Sequence, residues 1–512
     1  MELTRKTAGL ALFFLGLGAR QASAVTTCAD LITAVGDISG TGTVELEGDI
    51  TCVEHISVAA SQDVTVSGAY TITLGAAFAG STTTDAGSSL FENEGTLKLD
   101  GITFATLATD GNRAVWNTGT LSVEGCTFEL YRSGALLSRG GVIYSDSAGV
   151  IAISDSTFTS NIVSERGGAV YAIGSETLTI TDSFFRANEV GTGVDADGAG
   201  GDVYAGDNVE LTVTGTTFST SAAEYGGAAI ECCGATISNC TFTGRTLPAT
   251  RRAHYGGALL VNRPEQDACS RDLDLSDTIF RGCSVVGTTG AGGSVAIFDT
   301  SATITDCIFE DSIGTAVLFS SSSDSGEHQL LMDYAQFNLN TGPAEAYTTD
   351  AERGAAIVVT NTGVVDGNTT VAMGEFNDMY CFGNDPYECE FVYDQSDIVH
   401  SGVVSCQICD IDGVRQVVSD TDDDSAERSF NQTSSSDSVQ QGSSTDNDLD
   451  TGSIDQTSSS SSVQQGSDTD DDLDTGTIDQ SSSSNLWDSK GYIIIGLSAA
   501  VACASSWQSV FL

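Results

Sequence analysis

The chain is short of positive charge. Of its 512 residues, 19 are Lys or Arg against 70 Asp or Glu, and the only lysines are Lys6, Lys98 and Lys490. A formal net charge of −51 repels phosphate backbones and anionic headgroups, which excludes nucleic acid and basic-patch membrane docking as partners. Histidine is scarce as well. His55, His254, His328 and His400 fall in unrelated places, none with a carboxylate partner at catalytic spacing. Helical periodicity is missing from the body of the chain: apolar residues alternate at period two in short β-branched runs, which disfavours helical repeats. Extended apolar runs occur only at the two ends.

What is present is a repeat. An aliphatic-x-aliphatic pair stands seven and five residues before a Phe at Leu97/Leu99 (Phe104), Leu121/Val123 (Phe128), Ile151/Ile153 (Phe158) and Leu178/Ile180 (Phe185). The same spacing recurs at Leu211/Val213 (Phe218), Ala235/Ile237 (Phe242), Leu273/Leu275 (Phe280), Ala302/Ile304 (Phe309) and Leu330/Met332 (Phe337). A Gly-Gly pair begins 18 residues before Phe158, Phe185 and Phe218, whereas the return from Phe to the next Gly-Gly runs from 8 residues (Phe218 to Gly226) to 15 (Phe185 to Gly200). Two tight corners and one elastic corner describe a coil of three strands per turn, and the period is that of a solenoid. The spacing predicts a parallel β-helix.

One corner carries its own signature. Three residues before the Phe stand Gly101, Gly125, Asp155, Asp182, Gly215, Asn239, Asp277 and Asp306, the residues that tolerate a left-handed backbone at least cost; Tyr334 alone breaks the column. Two residues before the Phe, the small column Cys126, Ser156, Ser183, Thr216, Cys240, Thr278 and Cys307 shares the face of the Phe and is expected to stack inward.

Around these coils the chain divides by composition. Residues 1–24 read as a secretory signal: basic Arg5 and Lys6, an apolar run, and the small-residue site Ala22-Ser23-Ala24. Residues 25–95 are expected to cap the solenoid and hold its first coils, with Cys28 and Cys52 as a candidate disulfide. The regular coils occupy 96–376, closing on a degraded coil of Gly354–Ile357 and Val371–Phe376. Residues 377–419 carry Cys381, Cys389, Cys406 and Cys409; their Cys-x-x-Cys pair admits a zinc half-site or a redox motif, but secretion favours structural disulfides closing a C-terminal cap. The chain's 14 cysteines less Cys503 of the tail leave an odd 13, so at least one thiol has no partner within the mature chain. Cys126, Cys240 and Cys307 suit buried thiols.

From 420 to 488 the only cation before Asp488 is Arg428, and Gln432–Asp455 is repeated in tandem by Gln456–Asp479. Such a segment buries too little apolar surface to offset its ordering entropy and predicts an extended, disordered, acidic stalk rich in O-glycosylation hydroxyls. Within it Asp446, Asp448, Asp450 and Asp470, Asp472, Asp474 have the spacing of half a Ca²⁺ loop, but Gly452 and Gly476 come one residue late and no Glu closes either site. The expectation is weak, screened Ca²⁺ association and no other cofactor. Sequons at Asn368 and Asn431 are N-glycosylation candidates; Asn239, in the tight corner, is the least suited of the three. Residues 489–512 form a hydrophobic tail. With Ser482, Ser483 and Ser484 as small residues before a short polar spacer, the layout fits a lipid-anchor signal, with a transmembrane span as the alternative.

Two resemblances follow from these motifs. The pattern as a whole resembles the right-handed parallel β-helix of the pectate-lyase type. More closely, Gly167-Gly-Ala-Val170, Gly226-Gly-Ala-Ala229 and Gly256-Gly-Ala-Leu259, with Phe158–Asn161, Phe185–Asn188 and Phe337–Asn340, are similar to polymorphic outer membrane protein repeats. Tyr131, Ser221, Arg245, Cys283 and Ser312 depart from the Asn of that motif, and the β-barrel in which the bacterial family ends is not found here. The resemblance implies an all-β solenoid displayed at the cell surface as a non-enzymatic adhesion, structural or interaction module, taking an extracellular glycan or protein ligand. The rival is a polysaccharide lyase, hydrolase or epimerase on the same fold. Its converging carboxylates are missing from the column after the Phe, where charges come one per coil, and Arg251-Arg252-Ala253-His254 is the one catalytic candidate, read here as a solvated loop. Outward Thr127, Thr157, Thr217 and Thr241 resemble an ice-binding array, but Phe184, Ile279 and Ile308 interrupt them and β-propensity explains them better.

Overall fold

The computed structural model describes residues 25–382 apart from 80–87, 107–111, 132–138, 148, 175–176, 192–197, 245–253, 263–270, 286–291, 322–327, 342–356, 362–371 and 378–379. The signal, stalk and tail segments, Cys389, Cys406, Cys409, Asn368, Asn431, the six stalk aspartates and Ser482–Ser484 lie outside the described residues, as do Arg245, Arg251 and Arg252.

Three parallel sheets of 12, 12 and 11 strands wrap one core, each strand pairing with its equivalent one coil away. The described residues make eleven complete coils and two strands of a twelfth. In one coil, Thr177–Thr181 lies in the aliphatic sheet, Phe184–Arg186 in the phenylalanine sheet and Val203–Ala205 in the glycine sheet. Alternation dictates which side chains go in: Leu178, Ile180 and Phe185 are fully buried, while Thr179 between them faces out. All nine Phe residues stand in register. Their rings stack at centroid distances of 4.7–5.1 Å, each pair contributing about 0.5–1.5 kcal/mol beyond its buried area.

The corner between the aliphatic and phenylalanine sheets is the invariant one. All nine residues of its column have positive φ, from 45° at Asp182 to 70° at Gly101. Tyr334, which departs in type, conforms in shape at φ 52°. The backbone turn is imposed by the coil, and residue type only sets its cost. The small column beside it is buried and linked along the axis: Cys126 N–H donates to Ser156 Oγ, Ser156 N–H to Ser183 Oγ, and Ser183 N–H to Thr216 Oγ1. Each hydroxyl in turn donates to a carbonyl two residues back.

A second left-handed corner, two residues after the Phe, has no sequence signature. Leu130, Ser160, Ala187, Thr220, Asp311 and Leu339 all adopt φ of 52–62° there. For Leu130 and Leu339, each about half exposed, that conformation costs about 1 kcal/mol, which the surrounding coil offsets. One residue further on, Asn161 and Asn188 are buried. Asn161 Nδ2 donates to Asn188 Oδ1 and to the Phe128 carbonyl, and Asn188 Nδ2 donates to the Phe158 carbonyl. The Asn of the repeat is thus a ladder that satisfies corner carbonyls.

Three expectations need correction. First, the motif at Gly226 is displaced by one residue: Ile230 pairs with Val203, so Gly227 (φ 57°), not Gly226, is equivalent to Gly200 and Gly167. A Cβ on Gly227 would strike the Ile230 carbonyl just as one on Gly167 would strike that of Val170. Second, two corners are elastic. The run from the glycine sheet to the aliphatic sheet is short between Cys232 and Ala235 but long between Val261 and Leu273. Third, the solenoid does not stop at 376, because Tyr380–Phe382 pairs with Gln336–Asn338 and sets Cys381 opposite Phe337. Cys381 therefore belongs to the coils and not to a cap.

At the other end, α1 (Cys28–Gly36) covers the first coil with Leu31 and Val35. Thr27 Oγ1 accepts from Asp30 N–H and donates to its carboxylate, so the helix start is satisfied on both sides. Cys28 is disulfide-bonded to Cys52, which ties the cap to the first coil. Among the described residues, no helix is long and apolar enough to cross a membrane.

Candidate ligand-binding face

Both elastic corners border the glycine sheet. Its outer face is therefore the one flanked by variable loops on each side, which is where a rigid scaffold places recognition. All three residues of these short strands are buried, but on opposite sides of the sheet: Val170 and Ala172 join the core, while Tyr171 lies on the outer side in a separate, covered cluster with Tyr144, Ala199 and Tyr204. Register makes this outward column run Glu92, Trp116, Tyr144, Tyr171, Tyr204, Glu231.

The three tyrosines stack at 5.1 Å, interplanar angle 11°. Each receives an arginine from the preceding coil: the guanidinium of Arg113 lies 4.2 Å from the Tyr144 ring, Arg139 5.7 Å from Tyr171 and Arg166 4.9 Å from Tyr204. Arg139 donates to Tyr171 Oη at 3.4 Å and from Nε to Glu165 at 2.9 Å, and Arg166 donates to Tyr204 Oη at 2.8 Å. Desolvation of the buried Arg113 pulls its pKa down to about 10. Burial also works against the Arg139 charge, but Tyr171 and Glu165 outweigh it and its pKa ends above the ordinary value. Burial, with Asp146 and Tyr171 adding to it, pushes the Tyr144 phenol up to about 12. Arg113 and Arg139 thus keep their charge, and Tyr144 and Tyr171 their phenolic protons, at any physiological pH.

Three polar atoms around it are buried and have no hydrogen-bond partner among the described residues: Glu92 Oε1, Trp116 Nε1 and Ser147 Oγ. Beyond Glu231 the face changes character, with Leu260, Ala296, Phe298 and Leu318 forming an apolar cluster under Tyr225 and Tyr255. The strip is not among the sites that the sequence motifs single out. Its signal was Trp116, Tyr144, Tyr171 and Tyr204 at one place in successive repeats, visible only after the Gly-Gly segments are aligned.

The sequence candidates land elsewhere. His254 is exposed, and its backbone N–H donates to the Tyr225 carbonyl. Arg281 and Glu310, after the Phe in adjacent coils, pair with each other. Asp202 is a carboxylate inside the core, where burial pushes its pKa up to about 8 against hydrogen bonds from Asn188 and Ser221. Among the described residues no group of three His, Cys, Asp or Glu is placed to hold a metal. Cys126, Cys240 and Cys307 are free and buried, as are Cys232 and Cys283.

Residues 168–371 match the family model of the right-handed beta helix region. The fold is the right-handed parallel β-helix, a scaffold that enzymes and surface proteins share, so activity must be argued from the face and not the fold. No curated protein and no solved structure matches the chain.

Proposed function

We propose that the protein is a non-enzymatic, surface-displayed binding module that lays an extended extracellular ligand along the outer face of the glycine sheet. The observation that carries this is the loop-flanked strip of Trp116, Tyr144, Tyr171 and Tyr204 with Arg113, Arg139 and Arg166. In a chain of net charge −51 it gathers cations onto one line. Aromatic rings and guanidinium donors suit a glycan chain, with an extended peptide as the other ligand of that shape. Display on the acidic 420–488 stalk, tethered through the tail, completes the reading. The similarity to polymorphic outer membrane protein repeats agrees with this role, although the glycines and asparagines that carry it serve the coil's own turns and ladders.

The test is binding of the secreted chain to an array of extracellular glycans, followed by Trp116→Ala and Arg139→Ala. Loss of about ten-fold in affinity for either variant supports the face. Unchanged binding moves the site elsewhere. Release of shortened products from any polysaccharide would make the protein an enzyme instead.

A further inference from the structure

We propose that Asn239 carries an N-linked glycan, placed so that it shields one edge of the solenoid and leaves the candidate ligand face open. The sequon is Asn239-Cys240-Thr241. Confinement to a tight corner counts against the site only if the corner hides the side chain, and it does not. At φ 52° the backbone folds outward and Asn239 is exposed, while its N–H is occupied by the Ser276 carbonyl one coil on. Its carboxamide has no hydrogen-bond partner among the described residues, in contrast to buried Asn161, Asn188 and Asn340, whose amides all donate to corner carbonyls. The preceding coil holds Gly215 at this corner, so no side chain crowds the amide from that side. Thr241 is partly exposed and points out of the phenylalanine sheet, with Phe242 beside it buried.

Position gives the modification its sense. The corner of Asn239 joins the aliphatic and phenylalanine sheets and is the one corner that does not border the glycine sheet. A glycan there stands across the solenoid from Trp116, Tyr144, Tyr171 and Tyr204. The inference rests on the secretory signal of residues 1–24, since the donor is an oligosaccharide on a polyprenyl pyrophosphate. The bond formed joins Asn239 Nδ2 to the anomeric carbon, the bond broken joins that carbon to the pyrophosphate, and the amide gives up one proton.

The experiment is peptide mass spectrometry of the full chain secreted from eukaryotic cells, before and after peptide N-glycosidase treatment in heavy-oxygen water. The expected result is an Asn239 peptide that appears after treatment, converted to aspartate with heavy oxygen. Two variants keep the fold while removing the site. Asn239→Asp installs the residue already at this corner in Asp155, Asp182, Asp277 and Asp306, and Thr241→Val keeps the β-branch. Each should lose one glycan's mass on a gel without a change in melting temperature. An Asn239 peptide recovered only in its unmodified form overturns the proposal, and so does an unchanged mass in both variants. Neither result bears on ligand binding by the glycine sheet.

Discussion

Replacing Asp202 with asparagine removes one titratable group from the core and leaves its shape. Asp202 has no exposure; its Oδ1 accepts from Asn188 Nδ2 at 2.6 Å and Ser221 Oγ at 2.7 Å, while Oδ2 has no partner. Neither partner is charged, so burial dominates and the pKa rises from 3.8 to about 8. Folded Asp202 therefore keeps a proton between about pH 4 and about pH 8 that the unfolded chain has released. Protons bound in excess by the folded state mean that stability falls as pH rises through that window. The contribution is whole below about pH 4 and gone above about pH 8. Each pH unit corresponds to about 1.4 kcal/mol, so a window of about four units sets an upper bound of about 6 kcal/mol. Asparagine keeps both Oδ1 bonds and cannot ionise. Urea midpoints of the wild type and Asp202→Asn should coincide at pH 4 and separate progressively to pH 9, where the variant is the more stable by at least about 2 kcal/mol. Subtracting the two curves cancels every other carboxylate. A difference that does not vary with pH would refute the reasoning, since it would mean that Asp202 titrates as it does unfolded.

Ile180→Asp should unfold neighbouring coils by burying an unpaired charge, with a loss of about 4 kcal/mol or more, while Thr179→Asp on the outer face changes the midpoint by less than about 0.5 kcal/mol; equal melting of both would overturn the register. Tyr131 stands in the Asn column with its hydroxyl buried and unpartnered, so Tyr131→Phe should be neutral or stabilising by about 1 kcal/mol, and a clear loss would reveal a hidden partner. Burial pushes Cys126 and Cys240 up to about 11 and Cys232, Cys283 and Cys307 up to about 12. Peptide-level alkylation at pH 8 should leave these five thiols unlabelled in the native protein and label them in denaturant; native labelling would place them at the surface.

Coil geometry is legible where a backbone demand selects residue type. The corner before the Phe turns left-handed, and Gly, Asn and Asp collect there because other side chains pay a steric cost, so eight residues of the column announce it. The corner after the Phe turns left-handed just as regularly, yet Leu130, Ala187, Thr220 and Leu339 sit in it without any shared chemistry. The difference lies in what else holds the turn. Behind the second corner, Asn161, Asn188 and Asn340 stand one residue further on and bond its carbonyls, so the ladder carries the conformation and the turn residue is free to vary. The same logic explains the one-residue slip at Gly226: tandem glycines look alike in sequence, and only the pairing of Ile230 with Val203 tells which of them meets the carbonyl of the strand it opens. It also explains why the aromatic strip is hard to see in the sequence. Inward columns repeat because the core is shared by every coil, and nine phenylalanines make that period visible. An outward column has no shared core to hold it, and strand propensity or stacking between neighbours preserves it only over parts of the sheet. Four aromatic residues over four coils, giving way to Glu231 and Leu260, mark a length of face and not the whole solenoid. The strip's length matches the span over which arginines of successive coils cover its rings, from Arg113 on Tyr144 to Arg166 on Tyr204.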